Sequence, residues 1–286
     1  MSIRTVISLL VFVGGLCVAV GSIWETAGRG RSPFSYLHRI PSRKETAMKI
    51  ARDFLGFDAE AHALRRARRS LDDDTAGSRS KRQMPLDQYN VVYMVDSSNS
   101  VRKRGFNREK VALRLLTEKA LPGTVYSTIT FSTEAEISFR YANRSQAIEK
   151  LNDLPYMAGK TNTQLALNLA EMIFFNNTLG PLRPGRRRIL IFTDGQSNVK
   201  EQMTLYRAFR LKKRGVEIYV VAVGKYLYGM HEIIGLATSS SHHLYRVRSM
   251  KDFVKIVQLI PRFEEFLYHN SEGRDFEYIH FPTPKP

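Results

Sequence analysis

The sequence predicts an α/β domain built on a mainly parallel sheet, and two observations predict it. The first is Val91-Val92-Tyr93-Met94-Val95-Asp96-Ser97-Ser98-Asn99-Ser100, an apolar and aromatic run that ends in an acid and a group of hydroxyls. Such a run, bounded by polar turn residues, reads as a strand buried on both faces. The second is the alternation of strand-like and helix-like segments from Gln83 onward, which is how parallel sheets are threaded. A carboxylate and serines at the carboxyl end of a buried strand stand where open α/β sheets place their ligands.

The elements follow in order. Tyr89–Val95 is the first strand, and Phe106–Leu121 carries Val111, Leu115, Leu116 and Ala120 at helical spacing. Thr124–Phe131 and Ala135–Tyr141 read as strands joined by a short turn, so one edge pairing is expected to be antiparallel. Ser145–Leu154 is a helix with Ser145 as its N-cap and Ala147, Ile148 and Leu151 as its apolar face. Leu165–Phe175 is an amphipathic helix, Arg188–Phe192 a short buried strand, Glu201–Arg214 a helix and Glu217–Val223 a strand. Met230–Ala237, Leu244–Val247 and Met250–Ile260 complete the series as helix, strand and helix, before Pro261 stops it. Residues 262–286 read as a tail.

The first 82 residues have another texture. Residues 1–22 combine Arg4, an apolar centre from Val6 to Val20 and small residues at Ala19 and Gly21, as a secretory signal peptide does. An uncleaved signal-anchor, giving a type II membrane protein, is the competing reading, because the uncharged run from Thr5 to Trp24 is long enough to span a bilayer. Residues 23–82 are basic and polar, with no strand signal and little to bury, although Ala47–Arg69 could form a helix. They end in Arg79-Ser80-Lys81-Arg82, which resembles a furin-type processing site and marks the segment as a propeptide or linker. Solvated basic runs give the same pattern. The domain itself is placed at 83–261.

Charge and cysteine content narrow the class. The 44 Lys and Arg against 27 Asp and Glu give a formal +17, which favours acidic partners or anionic surfaces. The lone cysteine, Cys17, lies in the apolar start, so the chain beyond it has no disulfide and no thiolate metal site.

Three polar clusters carry the chemistry. Asp96-x-Ser98-x-Ser100 follows the first strand, Gly159-Lys160-Thr161-Asn162-Thr163 precedes a helix, and Thr193-Asp194-Gly195 ends another buried strand. In a parallel sheet these ends share one edge, so the loops can converge. Two carboxylates and several hydroxyls suit Mg²⁺, with Mn²⁺ or Ca²⁺ as related choices, since hard cations take oxygen ligands. An acid followed by serines is also a common turn or helix cap, and the first triplet alone leaves that open.

Asp-x-Ser-x-Ser, Gly-x-Thr-Asn-Thr and Ile-Phe-Thr-Asp-Gly-Gln-Ser, in that order, resemble the pattern of von Willebrand factor type A domains. The resemblance covers about residues 88–261. It implies a doubly wound, Rossmann-like sheet with helices on both faces and a metal-ion-dependent adhesion site. Ser98, Ser100 and Thr161 would be direct hydroxyl ligands, with Asp96 and Asp194 acting directly or through water. Asn99 and Gln164 stand where the family often has glycine, and Arg102 adds a cation beside the loop. The short link from Gly224 to Ile233 leaves no room for the extra helix of collagen-binding integrin domains.

Arg186-Arg187-Arg188 and Lys212-Lys213-Arg214 are candidate contacts for polyanions such as sulfated glycans; a loop and a favourable cationic helix end are the plainer account of them. Asn143 and Asn176 head N-glycosylation triplets. His242-His243 has no partner at metal-ligand spacing and reads as surface.

The expected function is a secreted, non-enzymatic adhesion or extracellular-matrix module whose metal shell is completed by Asp or Glu of a protein partner. A structural or biomineral-associated matrix protein held by polyanion contacts is the alternative. A metal-dependent hydrolase or phosphoryl-transfer enzyme is disfavoured, because no nucleophile–base arrangement and no phosphate-cradling loop is present. Nucleic acid is disfavoured by the secretory signal, and a membrane enters only with an uncleaved N-terminal segment.

Overall fold

The computed structural model describes residues 39–57, 88–176, 182, 184–195, 197, 199–224 and 229–271. The signal-peptide expectation and Arg79, Lys81 and Arg82 lie outside them. Met1–Ile40 and Pro41–Pro286 are separate units, and the second contains the domain.

The first strand is β1 (Tyr89–Asp96), buried along its whole length as its apolar run requires. Side chains alternate across a strand, so Val91, Tyr93 and Val95 enter one core layer while Val92 and Met94 enter the other. β2 (Val125–Phe131) pairs with β1 in parallel and β3 (Ala135–Ala142) pairs with β2 antiparallel. On the other side of β1 lie β4 (Arg186–Thr193), β5 (Val216–Val223) and β6 (Leu244–Val247), all parallel. The order is β3-β2-β1-β4-β5-β6. The chain therefore runs outward from β1 to one edge, returns, and runs outward to the other. Crossover loops after β1 and β4 diverge at this switch point and leave a crevice at the carboxyl edge.

Helices cover both faces, as expected. On one face lie α1 (Arg43–Lys49), α2 (Arg102–Lys119), α3 (Arg144–Lys150) and α7 (Met250–Leu259). On the other lie α4 (Thr163–Phe175), α5 (Glu201–Lys213) and α6 (Met230–Leu236). α3 begins one residue earlier than expected, because Asn143 caps it instead of Ser145. The Asn143 side chain accepts from Gln146 N at 3.0 Å, and the Gln146 side chain accepts from Asn143 N at 3.2 Å.

Two flanking segments differ from expectation. Residues 42–57 bury a great deal: Ser42 caps α1, the helix continues through a π turn over Ile50–Phe54, and Ala47, Ile50, Ala51, Phe54, Leu55 and Phe57 enter the core. The polar average of residues 23–82 conceals this apolar set at positions 47, 50, 51 and 54, which has helical spacing. The start of the expected tail is α8 (Phe263–Ser271), whose Phe263 and Phe266 pack on Phe57 with ring centroids 5.4 and 4.9 Å away. Burying rings like these contributes about 2–3 kcal/mol each.

Candidate metal centre

The end of β1 fixes the first cluster. Asp96 and Ser98 are buried, and Asp96 Oδ1 accepts from Ser98 N at 2.8 Å, so the acid folds its own loop back beneath the strand end. Ser98 Oγ lies 3.0 Å from Ser100 Oγ, and the Ser100 hydroxyl donates to Asp194 Oδ1 at 3.2 Å. Four of the five expected site residues are thus linked, and they come from the carboxyl ends of two strands and the loops that follow.

The fifth, Thr161, is buried on a loop stitched to both neighbours. Asn99 N donates to the Gly159 carbonyl at 3.0 Å, Tyr156 OH to the Ser98 carbonyl at 3.2 Å, and Ser197 Oγ to the Thr161 carbonyl at 3.1 Å. Lys160 N donates to Thr133 Oγ1 at 2.9 Å. Gly159 is required here: its φ is +101°, and a Cβ would come 2.5 Å from that Thr133 oxygen.

The donor set fits a hard divalent ion. Among the described residues the buried Asp96 Oδ2 has no hydrogen-bond partner, an orphan that native interiors rarely leave. Burial pushes the Asp96 carboxyl up to about 7; Ser98 hydrogen bonds oppose this and the Asp194 charge adds to it. A cation is what would hold Asp96 as a carboxylate. Among the described residues no three His, Cys, Asp or Glu side chains gather as a cluster, so the hydroxyls must share the ligation. Asp96, Ser98, Ser100, Thr161 and Asp194 are the residues that would hold the ion.

Two buried acids were missed. Glu109, on α2, is pushed well above the ordinary carboxylate range by burial and then by the Asp96 charge. Phe106, Glu109, Leu113 and Leu116 share the buried face of α2, so an acid at a core position of that pattern was the available signal. Glu232, on α6, accepts from Ser197 N at 3.1 Å and so secures the loop after Asp194. Gln164, one of the departures from the family pattern, turns inward: it donates to Asn162 Oδ1 at 3.1 Å and accepts from Arg207 Nε at 3.0 Å.

A cavity of about 310 Å³ opens beside Ser100 and Asp194. Arg102, Arg104 and Arg108 of α2 line it, together with Arg248 at the foot of α7. Arg102 has a left-handed φ of +58°, and the first turn of α2 holds no acid. Cations crowd the positive end of a helix there, against the usual preference for acids.

The two other cationic clusters are not free patches. Strand alternation splits the first. Arg188 is 3% exposed, bonds Glu217 Oε2 at 2.7 Å and donates to the Phe54 carbonyl, and Arg186 lies 3.9 Å from the same glutamate. Arg187 points the other way, over the Phe175 ring. Lys212 donates to the Gly235 and Ala237 carbonyls at the end of α6, and burial lowers its pKa. Arg214 bonds Glu171 at 3.0 Å and covers Phe175 although it is exposed, and Lys213 is exposed beside it. Arg188 and Lys212 are therefore structural, a correction to their reading as polyanion contacts.

Asn143 is exposed and Asn176 half-buried. His243 packs at a tilt against the Tyr219 ring, centroids 4.4 Å apart, and His242 lies 3.4 Å from Asp53, so neither belongs to the site. No helix among the described residues is long and apolar enough to cross a membrane.

The family model for the von Willebrand factor type A domain matches residues 90–259. The human collagen alpha-5(VI) chain is 29% identical over 178 residues, covering 59% of this chain and 7% of its own length. Matrilin-3 of Gallus gallus is 26% identical over 151 residues, covering 49% and 32%. This chain thus spans a small part of one relative and about a third of the other. Among solved structures, proximal thread matrix protein 1 from the mussel byssus, with a zinc-occupied MIDAS motif, superposes with a TM-score of 0.51 at 20% identity, covering 64% of this chain and 46% of that one. With the domain match spanning more than half of its residues, the chain belongs to the von Willebrand factor type A family.

Proposed function

We propose that this protein is a secreted, non-enzymatic adhesion module of the extracellular matrix. It would take an Asp or Glu of an extracellular protein partner onto a Mg²⁺, Mn²⁺ or Ca²⁺ ion held by Asp96, Ser98, Ser100, Thr161 and Asp194. The observation that carries this reading is the Ser98–Ser100–Asp194 chain beside the unpartnered Asp96 Oδ2. Relatives named as collagen VI chains and matrilin-3 support the matrix setting. The arginine-lined cavity beside the ion would favour partners rich in acidic side chains, through faster encounter and complementarity. Residues 1–22 as a secretory signal, Arg79-Ser80-Lys81-Arg82 as a processing site, and glycans on Asn143 and Asn176 belong to the same proposal.

The test is calorimetric titration of Mg²⁺ or Mn²⁺, followed by capture of an acidic synthetic peptide with and without chelator. Saturable metal binding and chelator-sensitive capture, both lost in Asp96→Ala, are expected. Capture that survives both chelator and Asp96→Ala would overturn the metal mechanism.

A further inference from the structure

We propose that residues 42–57 are held to the domain as a separately bound piece, so that severing the connection at 58–87 yields a two-piece molecule and not a released leader. The inference needs neither the metal nor its ligand. It rests on how this segment is seated.

The segment lies in a groove made by α7, the amino ends of β1, β4, β5 and β6, and the start of α8. Along one wall, Arg43 Nε bonds Asp252 Oδ1 at 2.5 Å and Lys49 Nζ donates to the Leu244 carbonyl at 2.8 Å. At the floor, Tyr219 OH donates to the Asp53 carbonyl at 2.7 Å and Arg188 to the Phe54 carbonyl. Phe54 meets the Tyr219 ring edge-on at 5.1 Å, and Phe57 fills the space against Phe263 and Phe266. Fully buried apolar residues contribute most of such an interface, and charged side chains here close carbonyls that would otherwise be left dry and unpaired.

The segment ends close to the start of β1. Gly56 has φ +76°, and a Cβ there would come 2.5 Å from Tyr89 Oη, so the chain passes directly over the hydroxyl of the residue that begins β1. The entropy of closing a loop changes slowly with its length. Cutting the connection removes an effective-concentration advantage and leaves the contacts of residues 42–57 in place. Hydrolysis after Arg82 would consume one water and leave a new carboxylate and amine within that connection. No disulfide can bridge the pieces, since Cys17 is the chain's single cysteine.

The experiment uses the full secreted chain cut with furin, or a version whose residues 79–82 are replaced by another protease's site. The cut protein is run by size exclusion in native buffer and each peak on a denaturing gel without reductant. One native peak that resolves into two bands is expected. Recovery of the N-terminal piece in a separate peak overturns the proposal, whether or not the remainder stays folded. Tyr219→Phe, which removes one hydroxyl and keeps the ring, should speed release of the piece on dilution roughly two- to tenfold, the weight of a single hydrogen bond. Release at an unchanged rate would show that the groove does not hold the piece as described.

Discussion

The hydroxyl of Ser100 donates to Asp194 Oδ1 across 3.2 Å, joining the end of β1 to the end of β4 over 94 positions of sequence. The sheet order makes this contact possible, since β1 and β4 are neighbours and their following loops diverge. An ion seated among these oxygens would replace the hydrogen bonds with coordination, and it would stabilise the folded state by mass action.

Metal should therefore raise the melting temperature of the wild-type chain. At a hundredfold excess over Kd the gain is about 2.7 kcal/mol. For a domain of this size that corresponds to roughly 5–10 °C. Asp194→Ala should abolish the rise without lowering the metal-free melting temperature, because it removes a charge that opposes Asp96. Differential scanning calorimetry with Mg²⁺ and with chelator checks both statements.

Neutralising the cavity cations should weaken acidic ligands while leaving metal binding intact. Arg102→Ala, Arg104→Ala and Arg248→Ala are each expected to lower the association rate for an acidic peptide several-fold at low salt, with little effect at high salt. Stopped-flow binding at several ionic strengths tests this. Equal rates for wild type and the triple variant at low salt would contradict it.

Arg188→Met should cost about 3 kcal/mol, the low end for breaking a buried pair. The low end applies because the Glu217 side chain is 26% exposed and water can partly compensate it. Arg188→Lys should rescue little, since an ammonium cannot serve Glu217 and the Phe54 carbonyl while also stacking on the Tyr89 ring, 4.0 Å away. Urea denaturation gives the values.

His243 predicts a pH dependence. Burial lowers its pKa below 6.5; Glu217 and Asp53 pull it back up, while His242 and Arg188 push it further down. The unfolded state therefore binds more protons than the folded state between the folded pKa and about 6.5. Stability from this group is fully present above 6.5 and is lost as pH falls through the lowered folded value. His243→Phe should flatten that part of the stability–pH curve, measured by urea midpoints between pH 5 and pH 7.5.

The sheet, its antiparallel edge and the three site loops were legible because each rests on a local pattern. Apolar runs end in turns, helical spacing recurs, and oxygen donors sit where strands stop. What escaped depended on three-dimensional neighbours. The run Arg186–Arg188 looked uniform, yet alternation sends Arg187 to Phe175 and Arg188 to Glu217 and Phe54, a split invisible without knowing which helix covers each face. Asn143 competes with Ser145 as a cap, and the reciprocal Gln146 bond decides it. Glu109 was hidden because an acid is counted as polar even when its helical phase is that of the core. Residues 47–57 were hidden by their surroundings, since arginine-rich flanks mask a short apolar face.

The pairing of Arg43 with Asp252 has a practical consequence. Asp252 lies in the first turn of α7, just after Arg248 and Ser249, which line the arginine cavity. A fluorophore or surface-coupling handle at position 43 would stand on the α7 side of that cavity and would report on, or obstruct, the docking proposed for it. The same handle on α8 would sit beside Phe57, at the far end of the strands, and would leave that cavity open for an immobilised binding assay.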